Sequence, residues 1–302
     1  SALDPGAPEV YVVALAGGAD AESESEASDA SDAFASFAAR SLARLELQRA
    51  TLVVAGSEKA AETAKRAGLA NVVDVAPTLE ALLEGSGSGS GSGSGFSSST
   101  RRSAASRTYF SALKWFAIRT LLRSGVPAVA TDPRATFLSN PSEGRFAKDA
   151  DVEALSDGWD DTTAYGYDHV VDDPAMDWSR FVHGGRIATL DPGFARLRAT
   201  REAANVASLV ARRMLFHAAG DRANPRETPE TTGSGSGTEE DVSRLEHALF
   251  NEAVFLPSHG AYASPGATKR ALNYLCFANS KTLFRFARRD RKWREPKEHA
   301  PV

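Results

Sequence analysis

Cysteine is almost absent from this sequence of 302 residues: Cys276 stands alone, so neither an intrachain disulfide nor a cysteine-based zinc site can form. Because Cys276 lies in the largely apolar residues 271–278, we expect a buried, unreactive thiol. No run of about 18 or more apolar residues occurs, so these residues predict no membrane span. The chain begins at Ser1, and we expect it to be a trimmed piece of a longer protein.

An excess of basic charge is also missing. The 35 Lys and Arg residues are balanced by 39 Asp and Glu, and the formal net charge is −4, so we expect no nucleic-acid partner. The six histidines include no pair at metal-ligand spacing, and the motifs GxGxxG, GxxxxGK[ST], HExxH and GxSxG are absent. The sequence therefore does not support a dinucleotide-binding fold or a hydrolytic metal site.

Three segments have a composition that cannot bury apolar surface. Residues 19–33 are rich in Ala, Ser, Glu and Asp, residues 84–100 contain a Gly-Ser alternation, and residues 224–240 are polar with a second Gly-Ser run. We expect all three to be flexible insertions in surface loops, where added length costs little. The sequence leaves open whether the Gly-Ser runs are native. Around them we predict a single domain over residues 8–295, followed by a tail at 296–302.

In the first half of the chain, apolar runs alternate with helical periodicity. The patterns predict strands at 10–16, 51–55 and 72–75 and helices at 34–49 and 58–67. This alternating order is typical of an α/β fold with a mainly parallel sheet.

The next unit carries the clearest candidate ligand position. Residues 109–123 have one apolar helical stripe, Gly125 follows as a C-terminal cap, and residues 126–131 form an apolar strand that runs into Asp132. Parallel α/β sheets bind their ligands at the carboxyl ends of strands. Asp132 is therefore a candidate binding residue; the alternative is a loop or cap aspartate.

The second half of the chain is less regular. Residues 186–198 predict a strand, a turn at residues 191–193 and another strand, and helices are predicted at 200–218, 244–255 and 268–277. Between them lie polar strings at 156–158, 163–167, 250–252 and 257–259. Their aromatic, carboxylate and amide groups suit sugar recognition, although such residues also serve in turns and packing.

These strings resemble a known family. Residues 149–177, 248–259 and 277–285, with 112–114 and 131–141 upstream, are similar to the plant and algal "reduced residual arabinose" arabinosyltransferases of glycosyltransferase family 77. The resemblance implies an α/β nucleotide-diphospho-sugar transferase of the GT-A fold, with a Rossmann-like, mainly parallel sheet flanked by helices. It also implies a Golgi-lumen, type II membrane protein whose anchor lies outside this sequence.

The activity implied by the resemblance is retaining transfer of L-arabinofuranose from a UDP donor to arabinosylated hydroxyproline of cell-wall glycoproteins. Matching the family's motifs assigns donor binding to Lys114, Asp132, Arg134, Asp157 and Tyr165. The same comparison leaves two alternatives open, a catalytically silent homologue that acts in binding and a transferase for another UDP-sugar.

The catalytic residues suggested by the resemblance are Glu246, Asn251 and Glu252. Glu246 stands where the family has an aspartate, so its carboxylate is displaced by one methylene, and displacements of about 1 Å can cost roughly a hundredfold in rate. Asp191-Pro192-Gly193 replaces the family's Asn-Ser-Gly.

The family's metal motif is altered. Its Asp-x-Asp normally holds a divalent cation, usually Mn²⁺, against the diphosphate, whereas this chain has Asp132-Pro133-Arg134. Asp132 and His259 remain as candidate metal ligands, but Arg134 makes a metal doubtful. Arginine cannot bind a cation, yet it can bind diphosphate bidentately. The site is therefore either metal-independent, with Arg134 as the charge partner, or unable to bind the donor.

Overall fold

The computed structural model of the chain describes residues 9–15, 40–85, 98–158, 164, 189–223, 239–256, 258, 262–279 and 282. Two predicted site residues, Tyr165 and His259, lie outside these ranges. So do the predicted insertion 19–33, residues 86–97 and 224–238 of the other two insertions, and the tail at 296–302.

Strands and helices alternate along the described residues. The strands are β1 (Val10–Leu15), β2 (Thr51–Ala55), β3 (Asn71–Asp74), β4 (Ala128–Thr131), β5 (Val152–Ser156), β6 (Leu190–Leu197) and β7 (Lys269–Ala271). The helices are α1 (Glu58–Arg66), α2 (Ala76–Gly85), α3 (Ser98–Arg123), α4 (Arg201–Ala223) and α5 (Glu239–Phe255).

The strands form one seven-stranded sheet in the order β3-β2-β1-β4-β6-β5-β7 within the described part of the chain. Neighbouring strands are parallel except at β6, which runs antiparallel to both β4 and β5. This mainly parallel sheet with flanking helices is an α/β architecture consistent with a GT-A-like fold, and it confirms the predicted fold class.

Both faces of the central strands are buried, which explains why they read as continuous apolar runs. On one face, Val12, Val54 and Ala130 pack against α3, α4 and α5. On the other face, Val13 and Val53 pack against α1 and a group of aromatic rings. These rings belong to Phe137, Phe146, Phe194 and Phe277.

The helix boundaries follow capping signals in the sequence. Ser57 accepts a hydrogen bond from the backbone N–H of Ala60 (3.1 Å) and so begins α1. At the end of α3, Gly125 has a φ of +84°, and the Val126 N–H donates to the Leu121 carbonyl (3.0 Å). A left-handed glycine at this place closes a helix and redirects the chain into the next strand.

Strand β6 contradicts the predicted strand–turn–strand over residues 186–198. Leu190–Leu197 is one strand with an irregularity, since Ala154 of β5 pairs with Ala195 whereas Leu155 pairs with Asp191. Pro192 has no N–H to donate to the ladder, and the Asp191 carboxylate accepts the Gly193 N–H (2.7 Å). The signals expected to make a turn instead make a bulge within the strand.

The predicted helix at 268–277 and the buried cysteine are also wrong. Lys269–Ala271 forms edge strand β7, parallel to β5, and residues 274–276 form a turn. Leu272 enters the core, whereas Cys276 is exposed. The apolar residues of this segment fit helical spacing, but pairing with the open edge of β5 prevails over local periodicity. None of the helices in the described residues combines the length and apolarity needed to cross a membrane.

A buried ionic network lies at the amino ends of β1 and β5. Arg196 is 3% exposed and donates to Glu9 (Nε–Oε1 3.1 Å) and to Glu153 (Nη1–Oε1 2.8 Å). The Glu153 oxygens also accept the backbone N–H groups of Ala147 and Lys148, both at 2.8 Å. Burial raises the pKa of the Glu9 carboxyl, but hydrogen bonds from Ser142, Lys148 and Arg196 outweigh it and hold that pKa below its usual value.

We predict that Arg196→Met lowers the free energy of unfolding by about 3–5 kcal/mol, because it leaves two buried carboxylates without their shared cation. Chemical denaturation measures the loss. The control is Arg123→Met at the exposed end of α3, where a change below about 1 kcal/mol is expected. Equal losses for the two variants would contradict the prediction.

Candidate functional site

Three carboxylates meet at one edge of the sheet. Asp132 follows β4, Asp157 follows β5, and Asp191 lies at the start of β6. Since β6 runs antiparallel to its neighbours, its beginning lies beside their ends. Two backbone hydrogen bonds fix this arrangement, Asp132 N–H to Gly193 O (2.6 Å) and Asp157 N–H to Thr189 O (2.9 Å).

Asp132 is bound by Arg134, which stands where the family resemblance implies the second acid of a metal motif. Arg134 donates three hydrogen bonds to the Asp132 carboxylate, from its backbone N–H (2.7 Å), Nε (2.9 Å) and Nη2 (2.8 Å). Burial raises the pKa of Asp132, but these hydrogen bonds, together with the charges of Arg134 and Lys114, outweigh burial and keep the pKa below its usual value. Asp132 is therefore an ionised carboxylate whose charge is balanced within its own turn.

The pKa of the Asp191 carboxyl is shifted in the opposite direction, above its usual value. Burial raises the pKa of its carboxyl, and the nearby negative charges of Asp157 and Asp132 raise it further. The Gly193 N–H and the charge of His247 oppose these effects without cancelling them. Two acids of one edge thus have pKa values shifted apart, as at sites where carboxyl groups have different tasks.

Asp157 belongs to a polar group built from two strands and a helix. Its Oδ2 atom lies 2.7 Å from Nε2 of His247 on α5 and accepts the Thr189 hydroxyl at 2.7 Å. Asn251, one turn after His247, lies with its Nδ2 3.4 Å from Nδ1 of that ring. Because a carboxylate oxygen accepts, Nε2 of His247 is the donor to Asp157.

The predicted catalytic Asn251 is a bridge between α5 and β6. Its side-chain oxygen accepts the Leu190 N–H (2.8 Å), and its Nδ2 donates to the Leu190 carbonyl (2.9 Å) and to the His247 carbonyl (2.8 Å). The amide is therefore occupied by backbone groups and sets where β6 begins.

Glu246 is held by three donors of α3. It accepts the Ser111 hydroxyl (2.6 Å), the Trp115 Nε1–H (2.8 Å) and the ammonium of Lys114. Trp115 is fully buried and stacks on Phe250 of α5, with ring centroids 5.4 Å apart. Glu246 thus joins α3 to α5, and it positions Lys114, whose charge acts on Asp132.

Glu252, the third predicted catalytic residue, pairs with Arg213 of α4. The structure therefore brings Lys114, Asp132, Arg134, Asp157, Glu246 and Asn251 to one region and directs Glu252 toward α4. Sequence reasoning did not select His247, Thr189 or Asp191 as site residues. The spacing of His247 and Asn251, four residues apart on one helix, was the signal available for the first of them.

A buried amide fixes the segment that carries Asp157. Asn279 is 8% exposed and donates to the carbonyls of Ser156 (2.6 Å) and Gly158 (2.9 Å), on either side of Asp157. Its own oxygen accepts the Thr282 N–H at 2.8 Å. Asn279, which belongs to the family resemblance at residues 277–285, thus holds the backbone on both sides of Asp157.

The described residues do not fit the family's divalent cation. Among them, no three His, Cys, Asp or Glu side chains are grouped so as to hold a metal ion. Both oxygens of Asp132 accept hydrogen bonds from Arg134, so a guanidinium lies where the family resemblance implies a second metal-binding acid.

We predict that Asp191→Asn raises the melting temperature at neutral pH. The folded state favours the protonated form of Asp191, because its folded pKa lies above the unfolded value. The stability it contributes therefore falls as pH rises through these two pKa values. Asparagine keeps an acceptor for the Gly193 N–H without the charge.

Thermal unfolding at about pH 7 and at about pH 3, where aspartate is mostly protonated, measures this effect. The gain is expected at the higher pH and should vanish at the lower one. The matched control is Asp74→Asn, an exposed aspartate that also accepts a backbone N–H, from Ala76 at 2.9 Å. A gain independent of pH would refute the explanation.

We also predict that Glu246→Ala lowers the free energy of unfolding by about 3 kcal/mol, because it leaves Lys114 without a counter-charge and the buried Trp115 N–H without an acceptor. Glu246→Gln, which keeps an acceptor, is expected to lose less than half as much. Urea denaturation compares both with Glu62→Ala on the exposed side of α1. A change below about 1 kcal/mol for Glu246→Ala would contradict the role of Glu246 in joining α3 to α5.

Two plant proteins are similar to this chain. Arabinosyltransferase RRA2 from Arabidopsis thaliana is 33% identical over 187 residues, which cover 62% of this chain and 38% of RRA2. Arabinosyltransferase RRA1 from the same plant is 33% identical over 187 residues, covering 62% of this chain and 40% of RRA1. The chain thus matches less than half the length of either relative. No family model and no solved structure matches it.

The two relatives carry the family name that the motifs of the sequence predict. Over the matched residues the chain is related to the RRA-type arabinosyltransferases, and the family resemblance is confirmed.

Proposed function

We propose that this chain is a glycosyltransferase that moves L-arabinofuranose from a UDP donor to arabinosylated hydroxyproline of cell-wall glycoproteins. The observation that carries the proposal is the 33% identity to two arabinosyltransferases over 187 residues. The polar edge formed by β4, β5 and β6 supports it, because α/β sheets bind ligands at the carboxyl ends of their parallel strands. We extend the proposal to a Golgi-lumen location on the family resemblance alone.

The proposed reaction forms a bond between an acceptor hydroxyl oxygen and C1 of the arabinose and breaks the bond from C1 to the diphosphate oxygen. The acceptor's proton passes to the leaving diphosphate on the same face, so the configuration at C1 is retained. The leaving group gains negative charge in this step, and positive charge near it lowers the barrier. Arg134 and Lys114 are the cations beside Asp132 that could supply it.

Asp157, His247 and Thr189 provide hydrogen-bonding groups for sugar hydroxyls. The Asp157 and His247 side chains are 27% and 30% exposed, so a ligand can reach them. Their mutual hydrogen bond and the support from Asn279 hold them in place before a sugar binds, which limits the entropy lost on binding. The catalytic roles of Glu246, Asn251 and Glu252 stay predictions; for Glu246 and Asn251 we favour positioning, since both side chains are saturated by protein contacts.

A second candidate is a catalytically silent homologue that binds glycoprotein. The altered motif favours it, because Asp132 is engaged by Arg134 rather than available to a metal.

The test is an assay of the purified chain with UDP-arabinofuranose and an arabinosylated hydroxyproline peptide. We expect a product with retained anomeric configuration by NMR, and a loss of about a hundredfold in kcat/KM for Asp157→Asn, which weakens contacts to the reacting sugar. Glu62→Gln on α1 serves as the control.

The outcomes separate the candidates. Turnover with a different UDP-sugar in a donor panel would show that the chain is a transferase whose donor sugar is not arabinose. Absence of turnover with every UDP-sugar, in Mn²⁺ and in EDTA, together with binding of the acceptor peptide, would favour the silent homologue.

A further inference from the structure

The turn after β4 holds Arg134 in a defined place. The Ala135 N–H donates to the Asp132 carbonyl (2.9 Å), and the Arg134 N–H donates to Asp132 Oδ1 (2.7 Å), so backbone and side chain close the same turn. Pro133, between them, restricts φ to about −65° and stiffens it. Arg134 is therefore fixed at the carboxyl end of a central strand, where α/β sheets place ligands.

The Asp132 carboxylate and the Arg134 guanidinium form a bidentate pair, with Nε–Oδ1 2.9 Å and Nη2–Oδ2 2.8 Å. A divalent cation at Asp132 would have to displace these bonds and approach the guanidinium charge. Both effects oppose metal binding at Asp132.

The guanidinium can still contact a ligand. The Arg134 side chain is 61% exposed, so solvent and ligands reach the guanidinium while Asp132 orients it. Its planar fork suits two phosphate oxygens, which a cation such as Mg²⁺ or Mn²⁺ would otherwise bridge. Lys114, the other cation near Asp132, is already paired with Glu246 and is 13% exposed.

We propose that Arg134, oriented by Asp132, binds the donor diphosphate in place of a divalent cation. This inference rests on the proposed UDP-sugar donor. In it, Asp132 changes from a metal ligand into a residue that positions the guanidinium, and the site works without metal. Because arginine stays protonated at all ordinary pH values, the positive charge does not depend on cation supply.

The test measures UDP binding to the whole chain by calorimetry, in EDTA and in excess Mn²⁺. We expect the two affinities of the native protein to agree within about twofold. Arg134→Ala should lose about tenfold to a hundredfold in affinity, the usual value of charge-assisted hydrogen bonds, and Mn²⁺ should not restore it. Arg134→Lys, which keeps the charge without the fork, should retain part of the affinity.

Arg123→Ala, an exposed arginine at the end of α3, is the matched control and should bind UDP like the native protein. Equal melting temperatures for both alanine variants show that the loss is not unfolding. An Arg134→Ala affinity equal to the native one overturns the proposal, as does a native affinity that Mn²⁺ raises tenfold or more; in both cases the UDP donor survives. If the native protein binds no UDP in either condition, that result contradicts the proposed UDP-sugar donor, and with it the proposed function.

Discussion

The reversal of β6 between β4 and β5 is the constraint on which the polar edge depends. In a fully parallel sheet, a central strand would carry its first residues to the opposite edge. Here Thr131 pairs with Phe194 and Ser156 with Leu190, so the start of β6 lies beside two strand ends. Asp191 thereby joins Asp132 and Asp157, and three acids meet where a doubly wound sheet binds its ligands.

Such a concentration of negative charge would repel an anionic diphosphate, so the partner of each acid decides what the edge can bind. Asp132 is neutralised by Arg134, and Asp157 is held by Thr189 and His247. Burial and the charges of Asp157 and Asp132 raise the pKa of Asp191, and among the described residues the Gly193 N–H and the charge of His247 compensate this only in part. Positive character is therefore greatest at the β4 end, where Arg134 and Lys114 lie near Asp132. An anionic leaving group would then lie near the end of β4, and a neutral sugar near the end of β5.

Sequence patterns predicted what depends on neighbouring residues along the chain. The cap at Gly125, the strand into Asp132 and helix α1 follow from local apolar spacing and turn chemistry. The predicted helix at 34–49 is wrong beyond residue 43, since residues 44–46 form a turn and Gln48–Ala50 a 3-10 helix. The other predictions that were wrong concern segments whose structure depends on partners distant in sequence. Residues 269–271 became a strand because the edge of β5 was available, and residues 191–193 bulged because both neighbours of β6 fixed its path. His247 could be noticed from its spacing to Asn251, but its pairing with Asp157, 90 residues away, could not.

Glu246 and His247 are neighbours in sequence, yet their side chains contact different parts of the structure. Successive residues of a helix point about 100° apart. Glu246 accordingly faces α3 and accepts three of its donors, whereas His247 faces the strand ends and meets Asp157. Glutamate is one methylene longer than the aspartate that the family resemblance implies at this position. Its carboxylate reaches α3 and accepts hydrogen bonds from Ser111 and Trp115. In the structure Glu246 thus joins α3 to α5, while the side chain that meets Asp157 at the strand ends belongs to the next residue along the helix. The catalytic role of Glu246 stays a prediction.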